Sequence, residues 1–354
     1  MLCIMGSRQK AKAGTTRTRI TQKALAEHLG LHPSTVSLVL NSAPLAAAIP
    51  EETRERILRA ARELDFRPNL YAKYLASNRS FTVAILLPAI GEGYSTAVLG
   101  GIDQALFEKN YAFFLAIHHG DRQLMREYPR RLAQRAVEGF ILLNTPIEEP
   151  LGWPTVSIGG YPAVGDMTRV LIHNYRGARM AAEHLIGLGH RNFAVIKGHA
   201  WRPASEERWR GIADALHASG IKLNPRLVLQ LQSASAFQVP ATPEEGYLGA
   251  KALLKTRLPF TALLAFNDLT ALGAMRAFHE ADLSVPSDIS VVGFDDIPSA
   301  AYHLPGLTTL RQPLHSMGEL AGTHLLRRIA GDAAQPEDIV VEPELIVRES
   351  TRAI

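Results

Sequence analysis

Few side chains in this 354-residue sequence stand in patterns that a reaction would require. Asp295-Asp296, in GFDD, could do general acid–base work, yet no nucleophile or partnering base accompanies them. His118-His119 are adjacent, so their side chains diverge and chelate poorly; exposed loop histidines are the plainer reading. Gly91-Glu92-Gly93 follows an apolar run as a nucleotide-binding turn would, but the third glycine is missing. The single cysteine, Cys3, excludes a disulfide framework or thiolate metal site and suits the cytosol. The expectation is a chain that is not an enzyme and needs no metal or cofactor. Its polar residues are patterned for recognition instead.

That pattern is densest from Ile20 to Asn41, ITQKALAEHLGLHPSTVSLVLN. Thr21 is placed to cap a first helix whose apolar side is Ala24, Leu25, Ala26 and Leu29. Gly30 can take the positive φ that ends it, and Pro33 is tolerated at the first position of a second helix. Val36, Val39 and Leu40 form the buried stripe of that helix, leaving Ser34, Thr35, Ser37, Leu38 and Asn41 outward. Leu38 lies roughly 160–200° from Val36 and Leu40 at ~100° per residue, which argues against a core role. The layout is that of a helix-turn-helix, whose second helix enters the DNA major groove. An ordinary αα-hairpin fits this stretch alone equally well.

Charge separates the two readings. Residues 1–80 hold 13 Lys/Arg and 6 Asp/Glu, a balance of +7; residues 81–354 hold 25 and 28, a balance of −3. Positive charge gathered in the first quarter is the footprint of a nucleic-acid module. Residues 1–18 read as a flexible basic arm. A loop, SAPLAAAI, precedes a third helix from about Pro50 to Leu64, with Ile57, Leu58, Ala61 and Leu64 as its buried side. Residues 68–80 form a linker or a helix of about two turns, too short to be stable alone in water; propensity alone favours the linker. No run approaches the ~20 apolar residues of a membrane span, and the opening MLCIM is too short for a signal region.

From Phe81 onward, apolar runs such as FTVAILLP, YAFFLAI, GFILLN, PTVSIGG, NFAVIKG, TALLAFN and ISVVGFDD alternate with longer helical patterns. Strand runs without polar alternation imply parallel sheets covered by helices on both faces. There are too many for one sheet, so two α/β subdomains with a cleft between them are expected, with ligand beyond the carboxyl ends of the strands.

With these elements in order, the chain resembles the lactose-repressor (LacI/GalR) family of bacterial transcription regulators from Arg19 to Ser350. The resemblance rests on ALAEHLGLHPSTVSLVLN, TRERILRAARELDFRPN, NLYAKYLAS, AEHLIGLGHRNFAVIKG, FNDLTALGAMRAF, SVPSDISVVGFDD, LTTLRQP and VRES, at family spacing. It implies a helix-turn-helix headpiece (19–67), a hinge helix (68–80) and a two-subdomain core resembling type I periplasmic binding proteins (81–354). One lobe would comprise about 81–171 and 312–341, the other 172–311 and 342–354. It also implies a homodimer, a cytoplasmic repressor and a small-molecule effector, a sugar by family default. The alternative is a solute-binding receptor with no DNA role, against which the basic headpiece and missing export signal speak. No leucine heptad follows Ile346, so no tetramerisation tail is expected.

The resemblance also assigns residues. Pro33, Ser34 and Leu38 fall at base-reading positions; leucine replaces the common arginine and can make only apolar contact, for example with a thymine methyl. Thr35, Ser37 and Asn41, with Thr21 from the first helix, can bond phosphates. In the hinge, Leu75 takes the place of the minor-groove wedge, with Asn69, Tyr71 and Ala72 beside it on the DNA side. For the effector, Arg208 and Asp295 fall where the family sets a guanidinium and a carboxylate against ligand, and arginine's fork suits vicinal hydroxyls or a carboxylate. Tyr94 matches a stacking aromatic and Gln312 lies at a crossover. Asn267 and Asp268 end a strand, and Asp268 caps the next helix or touches ligand. Ser95 replaces an aromatic, Glu92 an asparagine and Gly159 an often acidic residue. The loop Ser42–Ile49 is longer than usual.

Overall fold

In the computed structural model the described residues are 20–41, 43–66, 79–91, 93–232, 241–332 and 335–354. The chain divides into two compact units, Met1–Ser80 and Phe81–Ile354.

The first unit holds α1 (Gln22–Leu29), α2 (Pro33–Leu40), a 3₁₀ turn at Pro44–Ala48, and α3 (Glu51–Glu63). Thr21 caps α1 by accepting from the Ala24 amide at 3.1 Å. Gly30 ends it at φ +64°, its amide bonded to the Ala26 and Glu27 carbonyls. His32 caps α2, its Nδ1 accepting from the Ser34 amide. Leu25, Ala26, Val36, Val39, Ile57, Ala60 and Ala61 make one small core, and Leu38 stands outside it. Leu58 and Leu64, expected on the buried side of the third helix, are 42% and 36% exposed. The buried i, i+3, i+4 set is Ile57, Ala60 and Ala61; Leu58 lies ~100° from Ile57, and Leu64 is the C-cap.

The second unit contains two six-stranded sheets. The first is built from β1 (Thr82–Leu87), β2 (Ala112–Ile117), β3 (Phe140–Leu143), β4 (Thr155–Ile158), β5 (Met167–Ile172) and β11 (Asp338–Val341), in the order β11-β5-β4-β3-β1-β2, all parallel. The second is built from β6 (Phe193–Lys197), β7 (Val228–Gln230), β8 (Ala262–Ala265), β9 (Ser290–Asp295), β10 (Thr308–Arg311) and β12 (Glu344–Ile346), ordered β12-β10-β9-β8-β6-β7. Only β12 pairs antiparallel among these described strands. The chain passes between the sheets after β5, after β10 and after β11.

Burial on both faces is visible within single strands. On β1, Val83, Ile85 and Leu87 join a cluster with α4 (Tyr94–Phe107) and α11 (Leu314–Ile329), while Ala84 and Leu86 join another that includes Leu132 of α5 (Arg122–Ala133). The second sheet is covered by α6 (Asn174–Gly187) and α7 (Pro203–Ala218) on one face and by α8 (Pro243–Lys255) and α9 (Asp268–Glu280) on the other. A five-residue helix, α10 (Pro298–Tyr302), follows β9. Glycines let the covering helices approach closely: a Cβ on Gly101 would lie 1.9 Å from the His315 carbonyl oxygen, and one on Gly273 would lie 1.8 Å from that of Pro243.

Two apolar readings need correction. YAFFLAI does not form a doubly covered strand: β2 is a sheet edge, with Phe114 40% and Leu115 42% exposed. The final apolar run, IVVEPELIVRES, expected as a strand like the others, is instead split by Pro343 into β11 and β12, which lie in different sheets. MTRVLI and TTLR, which carry a charge or hydroxyls among their apolar residues, form β5 and β10 and were not among the runs expected as strands.

Candidate functional site

The carboxyl ends of both sheets' strands converge on a cavity of about 220 Å³. Leu87, Leu143 and Leu171 reach it from the first sheet, and Phe266 and Asp295 from the second. Its polar centre is Asp295, which ends β9 at φ +122°, followed by Asp296 at φ +57°. Two successive non-glycine residues in that region are strained by on the order of 1–3 kcal/mol each. Arg311 and Arg348 hold Asp296 at 2.7 and 2.6 Å, which leaves Asp295 turned into the cavity.

Asp295 is 6% exposed and meets Arg208, also buried, at 3.7 Å. Gln312 donates to the same carboxylate at 2.6 Å. Burial pushes the Asp295 carboxyl up to about 6, against the opposing pull of Arg208 and Gln312. Arg208 lies over the Phe294 ring at 3.5 Å and donates to the Asn174 side chain at 2.9 Å and the Phe266 carbonyl at 2.7 Å. Tyr94, the first residue of α4, also lines the cavity; burial and then the Asp295 charge raise its phenol above the usual value, with an Asn144 hydrogen bond opposing.

The structure thus brings Tyr94, Ser95, Arg208, Asn267, Asp295 and Gln312 to one wall-to-wall site. Two of them are already committed locally. Ser95 accepts from the Gly91 amide and donates to its carbonyl, holding the loop. Asn267 caps α9 by accepting from the Thr270 amide. Asp268 departs from both readings offered for it. It does not line the cavity and is not the cap: its buried carboxylate accepts from the Ile297 amide at 2.9 Å and the Thr309 hydroxyl at 2.5 Å, tying α9 to the segments after β9 and on β10. Gly159, at φ +125°, sits where a Cβ would lie 2.8 Å from Asn144 Oδ1, so the amide fills the space a side chain would occupy.

Asn144, Arg169, Asn174, Arg202 and Glu207 also line the cavity and went unread. Asn144 ends the run GFILLN and could have been found by looking at the polar residue closing each strand. Arg169 and Asn174 belong to or follow β5, so missing that strand hid both. His118 is another correction: it is buried, not exposed, with Nε2 2.9 Å from Thr145 Oγ1 and Nδ1 accepting from the Gly120 amide. Burial holds it down at about 4, well below an ordinary histidine. Among the described residues no cluster of three or more His, Cys, Asp or Glu could hold a metal ion. No described helix is long and apolar enough to cross a membrane.

On the headpiece, Pro33 and Ser34 are exposed at the start of α2, with Thr35, Ser37 and Leu38 half-buried behind them. Asn41 donates to the Ser37 carbonyl at 2.9 Å, and Thr21 is exposed at the α1 cap. Asn69, Tyr71, Ala72 and Leu75 lie outside the described residues.

The profile of bacterial regulatory proteins of the lacI family matches residues 16–69, and that of the periplasmic binding protein-like domain matches residues 182–351. The HTH-type transcriptional repressor PurR of Escherichia fergusonii is 32% identical over 339 residues, covering 93% of this chain and 96% of that protein. The PurR of Yersinia enterocolitica is 31% identical over the same shares. Among solved structures, the transcriptional regulator CelR–cellobiose complex superposes with a TM-score of 0.69 at 30% identity, covering 94% of this chain and 100% of that one. The lac repressor dimer bound to operator and an anti-inducer shares the fold, at TM-score 0.79 and 24% identity over 95% of this chain and all of that one. The chain belongs to the lacI family of bacterial regulatory proteins, DNA-binding repressors under the control of a ligand held in the core.

Proposed function

We propose that α2 reads operator DNA through Pro33, Ser34 and Leu38, while Thr21, Thr35, Ser37 and Asn41 engage phosphates. Asn69, Tyr71, Ala72 and Leu75 of the hinge contact the groove floor when bound. Supporting this, Ser34 and Pro33 are exposed at the N-terminal end of α2, the end that meets base edges in this motif. With Leu38 in place of a guanine-reading arginine, the half-site favours a pair that offers a methyl group.

The effector occupies the cavity of about 220 Å³, where Arg208, Asp295, Gln312, Tyr94 and Asn267 supply its polar contacts. The observation that carries this is the buried Arg208–Asp295 pair at 3.7 Å, a donor fork and an acceptor presented together at the junction of two lobes. A ligand touching both lobes biases their relative angle only so far as it binds one arrangement more tightly than the other. The relatives' ligands, cellobiose for CelR among them, make a small polar metabolite the natural class. The protein acts as a homodimer in the cytoplasm. Phe107 is 77% exposed, Phe114 and Leu115 on the β2 edge strand are partly bare, and Tyr302 and Leu304 are bare on the other lobe; exposed apolar side chains of this kind suit a partner subunit. It performs no catalysis.

Binding-site selection from fragmented genomic DNA, followed by anisotropy titration, tests the DNA half. Ser34→Ala should relax base preference, and Thr35→Ala should weaken all sequences alike and leave the salt slope unchanged, since a neutral hydroxyl releases no counterion. A protein with no sequence preference at any salt concentration would overturn it.

A further inference from the structure

Beside the cavity the two lobes also touch each other directly. Gly93, just before α4 in the lobe of the first sheet, holds φ +81°, and a Cβ there would lie 2.4 Å from Ile297 Cγ2 and 2.5 Å from Ile297 Cβ. Ile297 belongs to the other lobe, between β9 and α10. Carbon atoms in ordinary contact stand ~3.5–4.0 Å apart, so the backbone of one lobe packs on a side chain of the other with no room for a methyl group between them. A second approach is looser. A Cβ on Gly160, after β4, would stand 3.4 Å from Pro203 Cβ at the start of α7, which is ordinary contact. Of the two, the Gly93–Ile297 contact limits how far the lobes close. Tyr94 follows Gly93 directly, so the same contact sets how near that cavity-lining ring comes to the second lobe.

Ile297 is held so that it cannot yield. Its side chain is 2% exposed and shares a core cluster with Phe266, Ala271, Ala300 and Leu307. Its amide donates to one oxygen of Asp268 at 2.9 Å, and the Thr309 hydroxyl donates to the other at 2.5 Å. Asp268 is wholly buried. A Cβ on Gly293 would lie 2.2 Å from Asp268 Oδ1, so glycine at this place on β9 admits the carboxylate against the strand, where Thr309 of β10 is its register partner. From Thr309 the chain runs on through Gln312 into α11, which packs on the first sheet. A carboxylate sunk this deep is costly unless its oxygens are bonded. Here the bonds go to the residue that stops the lobes and to the strand that leads across between them.

We infer that Asp268 is a positioning residue for the ligand-controlled switch: it holds Ile297 as a stop against Gly93, ties that stop through Thr309 to the crossover strand, and so fixes the closed spacing of the lobes. Its bearing on DNA rests on the proposed control of the headpiece by the angle between the lobes, and the test reads the two separately.

The full chain, with Cys3→Ser, carries spin labels on cysteines placed at the exposed positions Glu149 in one lobe and Arg226 in the other. It is mixed with excess unlabelled chain so that measured pairs lie within one protomer. Double electron–electron resonance then compares the parent with Gly93→Ala, Asp268→Ala, Asp268→Asn and Thr309→Val, each first shown by its melting curve to be folded. A methyl group at 93 has to back away by about 1 Å to reach ordinary contact, so Gly93→Ala should lengthen the label distance by at least that much. Asp268→Ala should lengthen and broaden it as well, and Asp268→Asn, which keeps an oxygen for the Ile297 amide, should restore the parent distribution; a role in stability alone would leave the label distance unmoved. Thr309→Val removes one of the two bonds and should broaden the distribution, which keeps the test open if Asp268→Ala does not fold. The inference is overturned if Gly93→Ala leaves the distance unchanged, if Asp268→Ala and Thr309→Val both match the parent, or if Asp268→Asn is as open as Asp268→Ala. Anisotropy on a selected duplex supplies the other readout: Gly93→Ala should change DNA affinity by about fivefold or more. Open lobes with unchanged DNA affinity would leave Asp268 its role in closure and overturn the control of DNA by lobe angle.

Discussion

Arg208 and Asp295 form a pair whose worth can be worked out before it is measured. Both side chains are under 10% exposed and their charged atoms lie 3.7 Å apart, so at an effective dielectric of about 20 their attraction is on the order of 4 kcal/mol. Replacing one partner strands the other in a largely buried site, which costs up to about 3–5 kcal/mol. Arg208→Met also gives up hydrogen bonds to Asn174 and the Phe266 carbonyl, so it should be the costlier single change. Asp295→Asn keeps an acceptor beside Gln312 and should cost less. The double variant should lose less than the sum of the two, with a coupling of roughly 2–4 kcal/mol. Urea unfolding at neutral pH, followed by tryptophan fluorescence, reads this directly, since Trp153, Trp201 and Trp209 all belong to the core unit. A coupling below about 0.5 kcal/mol, within the range of ordinary additivity, would refute the claim that the two charges stabilise each other.

Other consequences follow from the same geometry. Gly101→Ala would drive a methyl group to within 1.9 Å of the His315 carbonyl oxygen, so α4 and α11 must separate; a loss of about 1–3 kcal/mol is expected, and an unchanged melting temperature would contradict it. His118 takes a proton in the folded chain only at about pH 4, so the unfolded chain, with its ordinary histidine near 6.5, protonates first as pH falls. Stability tied to His118 is therefore complete above pH 6.5 and lost on descending toward 4; His118→Asn should flatten the melting temperature against pH across that window, and parallel curves would count against it. Leu38→Arg should shift base preference at one operator position toward guanine by about 1–3 kcal/mol, checked by repeating site selection with the variant.

Legibility along the chain followed physical periodicity. The two helices of the headpiece were readable because Thr21, Gly30 and Pro33 punctuate them and Val36 and Val39 repeat at helical spacing. Buried runs such as GFILLN and ISVVGFDD announced their strands. MTRVLI did not, since Arg169 interrupts it, and that arginine faces the cavity and pairs with Asp338. The edge position of β2 was equally hidden: sequence reports that YAFFLAI is apolar, while exposure depends on which strands flank it. Family position found Arg208 and Asp295. It could not show that Asp268 is spent on Thr309 and Ile297.

The central claim is that ligand in the cavity governs the grip of the headpiece on DNA. Its most direct test is fluorescence anisotropy on a selected duplex, with and without saturating cavity ligand, for wild type and Arg208→Ala. The account predicts that ligand changes wild-type DNA affinity by about fivefold or more in one direction and leaves that of the variant unmoved. Equal wild-type affinities with and without a ligand that calorimetry shows to be bound would contradict it.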